Sequence, residues 1–491
     1  MGQLRFLVPN GHDQATDCLA SCGYVAGFDG VPCRAGRRRE GATLVIERAE
    51  CDSARLQVLW NVPGRGPIVL STATLMERAR PYYLLLELAR GTLGRMREFR
   101  AALEARGVPL PESAEEELHR AHARLAAAGC CESFAPNAGE LAQEAIVRAL
   151  QAGDALALAA STARAAKRQV PLSRGFRLSS SLPTAAQADA LHALFDTAVV
   201  TFDWSQLEPQ PGEFDGHSID RQLQWCAEQG FRVMGGPLVE LEAARLPGWL
   251  TAGPADQGHW LDRIEAYVGE AVERYRPQIT AWKAVGRTTH TADLCGLGEE
   301  QKLRLGLRAF EIARQTAPEP ASVSVVFDQP WGEFITWRPA KISPLYFADA
   351  LVRADLGLSA LELELNLGYH PGGTWPRDAV EFERHLDRWA CMGLPLEVTL
   401  VAPSSDAIDD RASRQAEVID LEAAGGTSPD AQADWIGRLV TALEARPEVR
   451  AIYYGQVDDA APHEWPWGGL FDAEGRPKPV CDVLSRERVA K

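Results

Sequence analysis

Carboxylates stand at or just beyond the ends of several apolar runs in the C-terminal part of the chain. They are Asp203, Glu240, Glu242, Asp328, Glu333, Glu364, Asp458 and Asp459. Two carboxylates that face each other across a cleft are suited to acid–base and nucleophilic chemistry, because one protonates a leaving oxygen while the other attacks. The sequence therefore holds candidates for a paired-carboxylate site, provided that the fold brings the ends of these runs together.

An arginine stands among these acids. The stretch "WKAVGR" has the character of a buried strand, and Arg287 lies where that strand ends. Arginine keeps its proton at any working pH, so it is unsuited to acid–base catalysis. In "ALELELNLGYH", the alternation puts Glu362, Glu364 and Asn366 on one side of a strand. Because a buried acid costs free energy unless it is paired, we predict that Arg287 pairs with Glu364 or Glu240.

Strand-like and helix-like segments alternate from about residue 174 to the end. The β-type runs are "FRLSSSL", "AVVTFDW", "FRVMGGPLV", "ITAWKAV", "SVSVVFD", "ALELELNL", "PLEVTLVAP" and "RAIYYGQVDD". Helical stretches between them include 258–275, 299–316, 378–392 and 429–446. This alternation predicts an α/β fold, a (β/α)8 TIM barrel, whose strand ends would gather the acids at one mouth. A doubly wound open sheet is the alternative, but no glycine-rich phosphate turn follows the first strand.

Two segments of different composition precede the predicted barrel. Residues 1–80 hold short β-type runs separated by Gly- and Pro-containing turns, which is typical of a small β-rich, sandwich-like domain. From Pro81 the chain is rich in Ala, Leu, Glu and Arg, with apolar residues on one helical face. We therefore predict a β-rich accessory domain over 1–80, a helical connector over 81–173 and the barrel over 174–491.

Four segments of the barrel region carry Trp, Pro, Gly and aromatic residues in a fixed order. They are "FDWSQLEPQPGEFD", "GFRVMGGPLVELEAARLPGWL", "VERYRPQITAWKAVGR" and "YYGQVDDAAPHEWPWGGLFDAEGRPKP". In this ordered set the chain resembles glycoside hydrolase family 10, the xylanase-type barrels, over about 174–491. The resemblance implies a barrel that acts on or binds an oligo- or polysaccharide. It does not extend to residues 1–170.

The positions that carry the family's chemistry are altered. The resemblance implies a retaining mechanism, in which one glutamate is the acid at the end of strand four and another is the nucleophile at the end of strand seven. The acid position is here Arg287 and the nucleophile position is Leu400. The family's sugar-holding positions on strands two, three and six also differ, and include Asp203, Glu240, Glu364 and Asn366 here. We therefore expect no catalytic residue at the family positions.

Three interpretations of the mouth follow. The acids and Arg287 could form a salt-bridge network; a relocated pair drawn from Glu240, Asp328, Glu364 and Asp458 could make an active glycoside hydrolase; or the mouth could bind sugar passively. Carbohydrate binding would use aromatic rings for stacking and polar groups for the hydroxyls. The candidate binding residues are Asp203, Trp204, Glu240, Arg287, Glu364, Asn366, Trp465 and Trp467, and His290 and Asp293 could line the same mouth. We predict a catalytically degenerate protein with a carbohydrate-binding or a structural, assembly role.

Charge, apolar runs and cysteine content exclude several classes of binding partner. The formal net charge is −16, from 51 Lys and Arg against 67 Asp and Glu, which argues against nucleic acid or an anionic membrane as the partner. No apolar run is long enough to predict membrane insertion, and the N-terminus has no secretory pattern, so we expect a cytoplasmic protein. Cys18, Cys22, Cys33 and Cys51 lie close together but form no CxxC pair. We expect reduced thiols, no metal and no cofactor.

Overall fold

The N-terminal part of the protein is built from two small sheets. The computed structural model describes residues 2–8, 23–27, 29–49, 52–131, 136–179, 181–289, 294–337, 340–423 and 425–489. The strands are β1 (Gly2–Leu7), β2 (Gly23–Ala26), β3 (Pro32–Cys33), β4 (Ala35–Glu40), β5 (Thr43–Arg48), β6 (Arg55–Val62), β7 (Gly66–Ser71) and β8 (Tyr82–Tyr83). One sheet has the order β4-β5-β1-β8 and the other β3-β2-β6-β7. The predicted β-rich character is therefore confirmed.

Alternation of apolar and polar residues explains these strands. In β1, Leu4 and Phe6 are buried while the residues between them are half-buried, and the partner strand β5 buries Leu44 and Ile46. Such a period of two places one face of each strand against a core. Of the four clustered cysteines, only Cys33 lies within the described residues, at the end of β3.

Three helices follow the sheets. They are α1 (Leu84–Ala105), α2 (Glu112–Cys130) and α3 (Pro136–Ala165). The apolar face predicted for the first of them is buried, with Leu88, Met96 and Phe99 among its core residues. No helix of the described residues combines the length and the apolar character needed to span a bilayer.

A closed parallel barrel occupies the C-terminal part and confirms the predicted (β/α)8 fold. Its strands are β9 (Ser173–Arg177), β10 (Thr197–Val200), β11 (Arg232–Gly235), β12 (Val239–Glu240), β13 (Ala281–Gly286), β14 (Ser322–Asp328), β15 (Ala360–Asn366), β17 (Leu396–Val401) and β19 (Val449–Tyr454), while β16 (Tyr369–His370) pairs with β18 (Glu417–Val418) outside it. The order is β11-β10-β9-β19-β17-β15-β14-β13-β12, and pairing of β11 with β13 closes the ring. Each β-type run predicted from the sequence contributes a barrel strand.

Helices follow the barrel strands as the sequence periodicity indicates. They are α4 (Ala185–Leu194), α5 (Trp204–Leu207), α6 (His217–Gln229), α7 (Gly248–Thr251), α8 (Gln257–Tyr275), α9 (Glu299–Thr316), α10 (Phe334–Trp337), α11 (Pro344–Arg353), α12 (Ala379–Ala390), α13 (Pro429–Glu444) and α14 (Pro479–Val489), with a 3-10 turn at Ala243–Arg245. Side-chain caps fix several of the starts: Asp256, Ser343, Asp378 and Ser428 each accept a hydrogen bond from a backbone N–H of the first helical turn.

The N-terminal part and the barrel share a core. Helices α1 and α3 contact α12, and α3 also contacts α13. Between them, the buried guanidinium of Arg95 lies 3.1 Å from Asp378 Oδ2 and 3.2 Å from Glu381 Oε2. One continuous cluster of buried apolar side chains runs from Leu4 in β1 to Leu484 in α14.

Candidate functional site

Arg287 lies at the centre of the barrel mouth. It directly follows β13, has a left-handed φ of 59° and is fully buried. Its Nε donates to Glu240 Oε1 at 3.3 Å, and its Nη2 donates to Glu364 Oε1 at 3.3 Å and to Glu464 Oε1. The predicted pairing is therefore present with both candidate acids. Glu464 is a third partner that the sequence analysis did not identify. Such a positive φ is uncommon for a residue with a side chain and is kept only where surrounding contacts hold it.

Three further arginines extend this cluster into a network. Arg414 donates to Glu242 Oε2 and to Glu464 Oε1, both at 2.7 Å. Arg245 lies 3.6 to 3.7 Å from Asp203, Glu240 and Glu464. Arg177 lies 3.6 Å from Glu364. We refer to these four arginines and five acids (Asp203, Glu240, Glu242, Glu364 and Glu464) as the mouth network.

Burial and charge shift the acids of the mouth network in opposite directions. Burial raises the pKa of Glu364, although Arg287 and Arg177 act against that rise. Burial also acts to raise the pKa of Glu464, but Arg287, Arg414 and Arg245 hold that pKa well below its usual range. Burial alone would lower the pKa of Arg287, yet Glu364, Glu464 and Glu240 raise it well above its ordinary value. The acid that Arg287 keeps ionised is thus Glu464.

Below the mouth, polar side chains fill the barrel interior. The fully buried Lys283 donates to Glu362 Oε1 at 2.7 Å, and Thr399 Oγ1 donates to the same oxygen at 2.6 Å. The ammonium of Lys283 also lies 4.1 Å from the ring centroid of Tyr453. Burial lowers the pKa of Lys283 despite the neighbouring carboxylate of Glu362. The interior is therefore a packed layer rather than a channel.

Leu400 does not face the barrel interior. Its neighbour Thr399 points inward to Glu362, and side chains alternate along a strand, so Leu400 points outward. Leu400 is buried in the main apolar cluster, whereas Val401 packs at the mouth with Tyr369 and Trp465. The sequence comparison placed the family nucleophile at Leu400. The inward positions of this strand end are Thr399 and Val401, and neither carries an acid.

A cavity of about 320 Å³ opens beside the mouth network. Its lining comes from the ends of β9 and β12, from the loops after β9, β10, β11, β12 and β19, and from helix α6, with Ser413 from the loop after β17. Of the predicted site residues, Asp203, Glu240 and Asp458 line it. Arg177, Arg245, Glu464 and the hydroxyl groups of Ser179, Thr201 and Ser218 belong to the same lining. The cavity thus presents carboxylates, guanidinium groups and hydroxyls to its contents.

The predicted aromatic residues lie elsewhere. Trp204 is buried, stacks on Tyr267 with ring centroids 4.5 Å apart and donates its indole N–H to Glu208. Trp465 is buried against Tyr369 at 4.8 Å. Trp467 is half-buried, and its indole N–H donates to the carbonyl of Ala407. None of these rings lines the cavity, so the expectation of a stacking surface there is not met.

Three further predicted residues, Glu364, Asp328 and Asn366, are buried and do not line the cavity. Glu364 and Asp328 are buried, and Asp328 Oδ1 accepts the backbone N–H of Thr289 at 3.2 Å. Asn366 is buried, and neither atom of its amide has a hydrogen-bond partner among the described residues. His290 and Asp293 lie outside the described residues. Nowhere in the described ranges do three His, Cys, Asp or Glu side chains form a group suited to a metal ion.

Loop residues complete the network and were missed in the sequence. Glu464 lies within "PHEWPWGG", a loop after β19, while Arg245 and Arg414 lie in the loops after β12 and β17. A barrel must bring the ends of its strands together, so residues at strand ends can be predicted to meet. A charged residue five or more positions beyond a strand end carries no such constraint. One signal in the sequence points to Glu464: it lies within "YYGQVDDAAPHEWPWGGLFDAEGRPKP", the segment that resembles the family's strand-eight loop.

Comparison with known proteins supports the resemblance over part of the barrel. The sequence profile described as glycosyl hydrolase family 10 matches residues 175–322. No curated protein sequence matches the chain. Among solved structures, the chain is similar to xylanase 10B from Thermotoga maritima, with 16% identity and a TM-score of 0.48. The match covers 65% of this chain and 97% of the xylanase chain. Xylanase B from Clostridium stercorarium F9 has 17% identity, coverages of 64% and 96%, and a TM-score of 0.49. Residues 175–322 therefore carry the sequence pattern of glycosyl hydrolase family 10, as predicted.

Proposed function

We propose that this barrel does not carry out the retaining hydrolysis of glycoside hydrolase family 10. The observation that carries the proposal is the set of hydrogen bonds from Arg287, at the position that the resemblance assigns to the family acid, to Glu240, Glu364 and Glu464. A retaining mechanism needs two carboxyl groups about 5 Å apart, one of them able to give up a proton to the substrate. The strand end that would carry the nucleophile holds Thr399, Leu400 and Val401.

The cavity beside the network supports a binding role for a small polyhydroxylated ligand, a carbohydrate by the family pattern. Hydroxyl groups of a sugar are held by carboxylates, amides and guanidinium groups, and Asp203, Glu240 and Arg245 line the cavity with such groups. Asp203 is also fixed in place, because its Oδ1 accepts from the N–H and the hydroxyl of Ser205. A fixed acceptor loses little entropy on binding a ligand.

Two other roles make different demands on the same residues. An active hydrolase with relocated acids would have to draw on the carboxylates of the cavity lining, which are Asp203, Glu240, Asp458 and Glu464, because Glu364 and Asp328 do not line it. An assembly role with a protein partner would need no ligand in the cavity at all. The buried ion pairs of the mouth network favour this role over catalysis, since they fill the position where a substrate would react.

Binding and turnover should be measured together on the purified protein. We expect xylo- or cello-oligosaccharides to bind by calorimetry without release of shorter products. Asp203→Asn should weaken binding at least about tenfold, the loss of about 1.4 kcal/mol expected for a charged hydrogen-bond partner. Asparagine still caps α5, so the fold should persist. Asp434→Asn, an exposed acid on α13, is the matched control. Turnover that Asp203→Asn or Asp458→Asn abolishes would favour the relocated pair, and no binding of any sugar would favour assembly.

A further inference from the structure

The second N-terminal sheet packs against one side of the barrel mouth. Its residue Tyr24 is buried, and its hydroxyl accepts a hydrogen bond from Arg377 Nη2 at 3.1 Å. Arg377 lies in the loop after β15, and its Nη1 lies 2.6 Å from Glu333 in the loop after β14. Loops that follow barrel strands lie at the carboxyl-terminal mouth. Tyr24 therefore joins the sheet to two neighbouring mouth loops.

Further contacts join the sheet to these loops. The backbone N–H of Val69 in β7 donates to the carbonyl of Pro376 at 2.8 Å, so the edge of the sheet is continued by the loop after β15. Gly332 lies so close to Tyr24 that a Cβ atom there would overlap the tyrosine ring. Trp375, whose ring centroid is 6.4 Å from that of Tyr24, is only 1% exposed. The sheet thus covers the mouth on the side of β14 and β15.

The mouth network closes the middle of the mouth. Arg414, from the loop after β17, reaches across to Glu242 in the loop after β12 and also holds Glu464. Arg287 lies buried beneath the same carboxylate of Glu464. The cavity lies to one side of this bridge, and none of its described lining residues comes from the loops after β13, β14 or β15. This bridge of Arg414 therefore lies in the direction in which a long saccharide bound in the cavity would have to continue.

We propose that the N-terminal sheet and the mouth network make the cavity a one-sided pocket that accepts the end of a saccharide, and not the interior of a polysaccharide. This inference rests on the proposed carbohydrate-binding function. A polymer interior needs two exits from its site, and the described residues that line the cavity come from one side of the mouth only. The cavity of about 320 Å³ is at the small end of the roughly 300–1,000 Å³ range of ligand pockets. That size suits about one or two sugar units. The β-rich N-terminal region then sets the length of ligand that the barrel holds.

The test is a calorimetric titration of the full chain with xylo- and cello-oligosaccharides of one to six units. We expect affinity to rise up to the disaccharide and then to stay within about twofold. We also expect one protein molecule to bind each hexasaccharide. A tenfold or greater rise from disaccharide to hexasaccharide, or several proteins bound along one chain, would overturn the proposal. No binding at any length would overturn the proposed function and the ligand class together.

Closure of the mouth is measured separately, without any ligand. Hydroxyl-radical labelling of the full chain should leave Trp375 protected and should modify the half-buried Trp467. Tyr24→Ala should raise labelling of Trp375, and Tyr346→Ala, at an exposed tyrosine on α11, should not. Labelling of Trp375 in the unaltered protein at the rate of Trp467 would show that the sheet does not cover this side. That result contradicts the inference and leaves the proposed sugar binding intact.

Discussion

Arg287 governs the mouth by its charge and its position together. A guanidinium cannot lose its proton, so Arg287 is a fixed positive charge between the three carboxylates that it contacts. In enzymes, an acid–base pair often consists of two carboxyl groups whose pKa values are shifted in opposite directions, as those of Glu364 and Glu464 are. Here, however, Glu364 does not line the cavity, and Glu464 is kept ionised by three arginines. The shifts of both groups arise within the ion-pair network around Arg287.

Replacing Arg287 by methionine should destabilise the protein strongly. Arg287→Met keeps much of the volume but leaves Glu240, Glu364 and Glu464 without their shared cation. Removing one partner of a buried ion pair costs about 3–5 kcal/mol. Urea unfolding at pH 7 measures the loss, and lowering the pH should reduce it because the abandoned acids can then take up protons. Arg476→Met, at an exposed arginine, should hardly change the midpoint. A loss below about 1 kcal/mol for Arg287→Met would mean that the network contributes little.

The stability that ionised Glu464 contributes should depend on pH. Burial opposes its ionisation, but Arg287, Arg414 and Arg245 lower its folded pKa well below the usual range. The contribution is therefore complete above about pH 4.3, the unfolded value, and is lost as the pH falls through the folded pKa. The difference in unfolding free energy between the unaltered protein and Glu464→Gln should be largest near pH 7 and should shrink towards pH 3. Glu474→Gln, at an exposed acid, provides the control, and a difference for Glu464→Gln that is constant with pH would contradict the assignment.

At the scale of elements, helix α1 shows how closely the connector approaches the sheet. A Cβ atom at Gly91 would overlap the carbonyl of Ser71 at the end of β7, whereas one at Gly94 would meet nothing within 4 Å. The approach is fixed by Arg95, whose Nη1 donates to the same carbonyl at 3.3 Å. Glycine at position 91 is thus required by packing, and glycine at position 94 is not.

The two glycines of α1 provide a matched pair of variants. Gly94→Ala should stabilise the protein by about 0.5–1 kcal/mol, because alanine favours the helix. Gly91→Ala has the same helical advantage but should destabilise by about 1–3 kcal/mol, because the helix must move off β7. Thermal unfolding of the two variants gives the comparison. Equal stabilisation by both would show that α1 does not lie against β7 as described.

The barrel elements could be predicted from the sequence, and the site only in part. Alternation in "ALELELNL" sets Glu362 and Glu364 on the inner face whatever the neighbours are, so their placement follows from a local pattern. Arg287 also could be predicted to meet an acid, because it stands at a buried strand end and a buried charge must be paired. Glu464, Arg245 and Arg414 converge through the paths of three loops, which no local pattern fixes. The sequence does not distinguish a tryptophan that packs a loop against the core from one that binds a ligand. Trp204 and Trp465 pack against Tyr267 and Tyr369 and do not line the cavity.

On the scale of the whole molecule, the first 170 residues bear on the barrel in two ways. The second sheet meets the mouth loops through Tyr24 and Val69. Helices α1 and α3 meet the outer helix α12, where Arg95 and Arg164 reach the buried carboxylates of Asp378, Glu381 and Glu383. The division into an accessory domain, a connector and a barrel is a prediction from composition. These contacts lead us to propose that the three segments fold as one cooperative unit.

A fragment starting near residue 170 should therefore fail to fold into a soluble monomer. It would lose Arg95, which pairs with the buried Asp378 and Glu381, and Arg164, one of the two arginines on Glu383, and it would expose Val380 of α12, which lies beside Gly153. Unpaired buried charge and a new apolar face each favour aggregation. Size-exclusion chromatography should find the fragment aggregated, while supplying residues 1–169 as a separate chain should restore some soluble complex. The full chain should unfold in one transition by both far-ultraviolet circular dichroism and tryptophan fluorescence. A monomeric fragment that unfolds cooperatively by itself would instead establish the N-terminal region as a separable accessory domain.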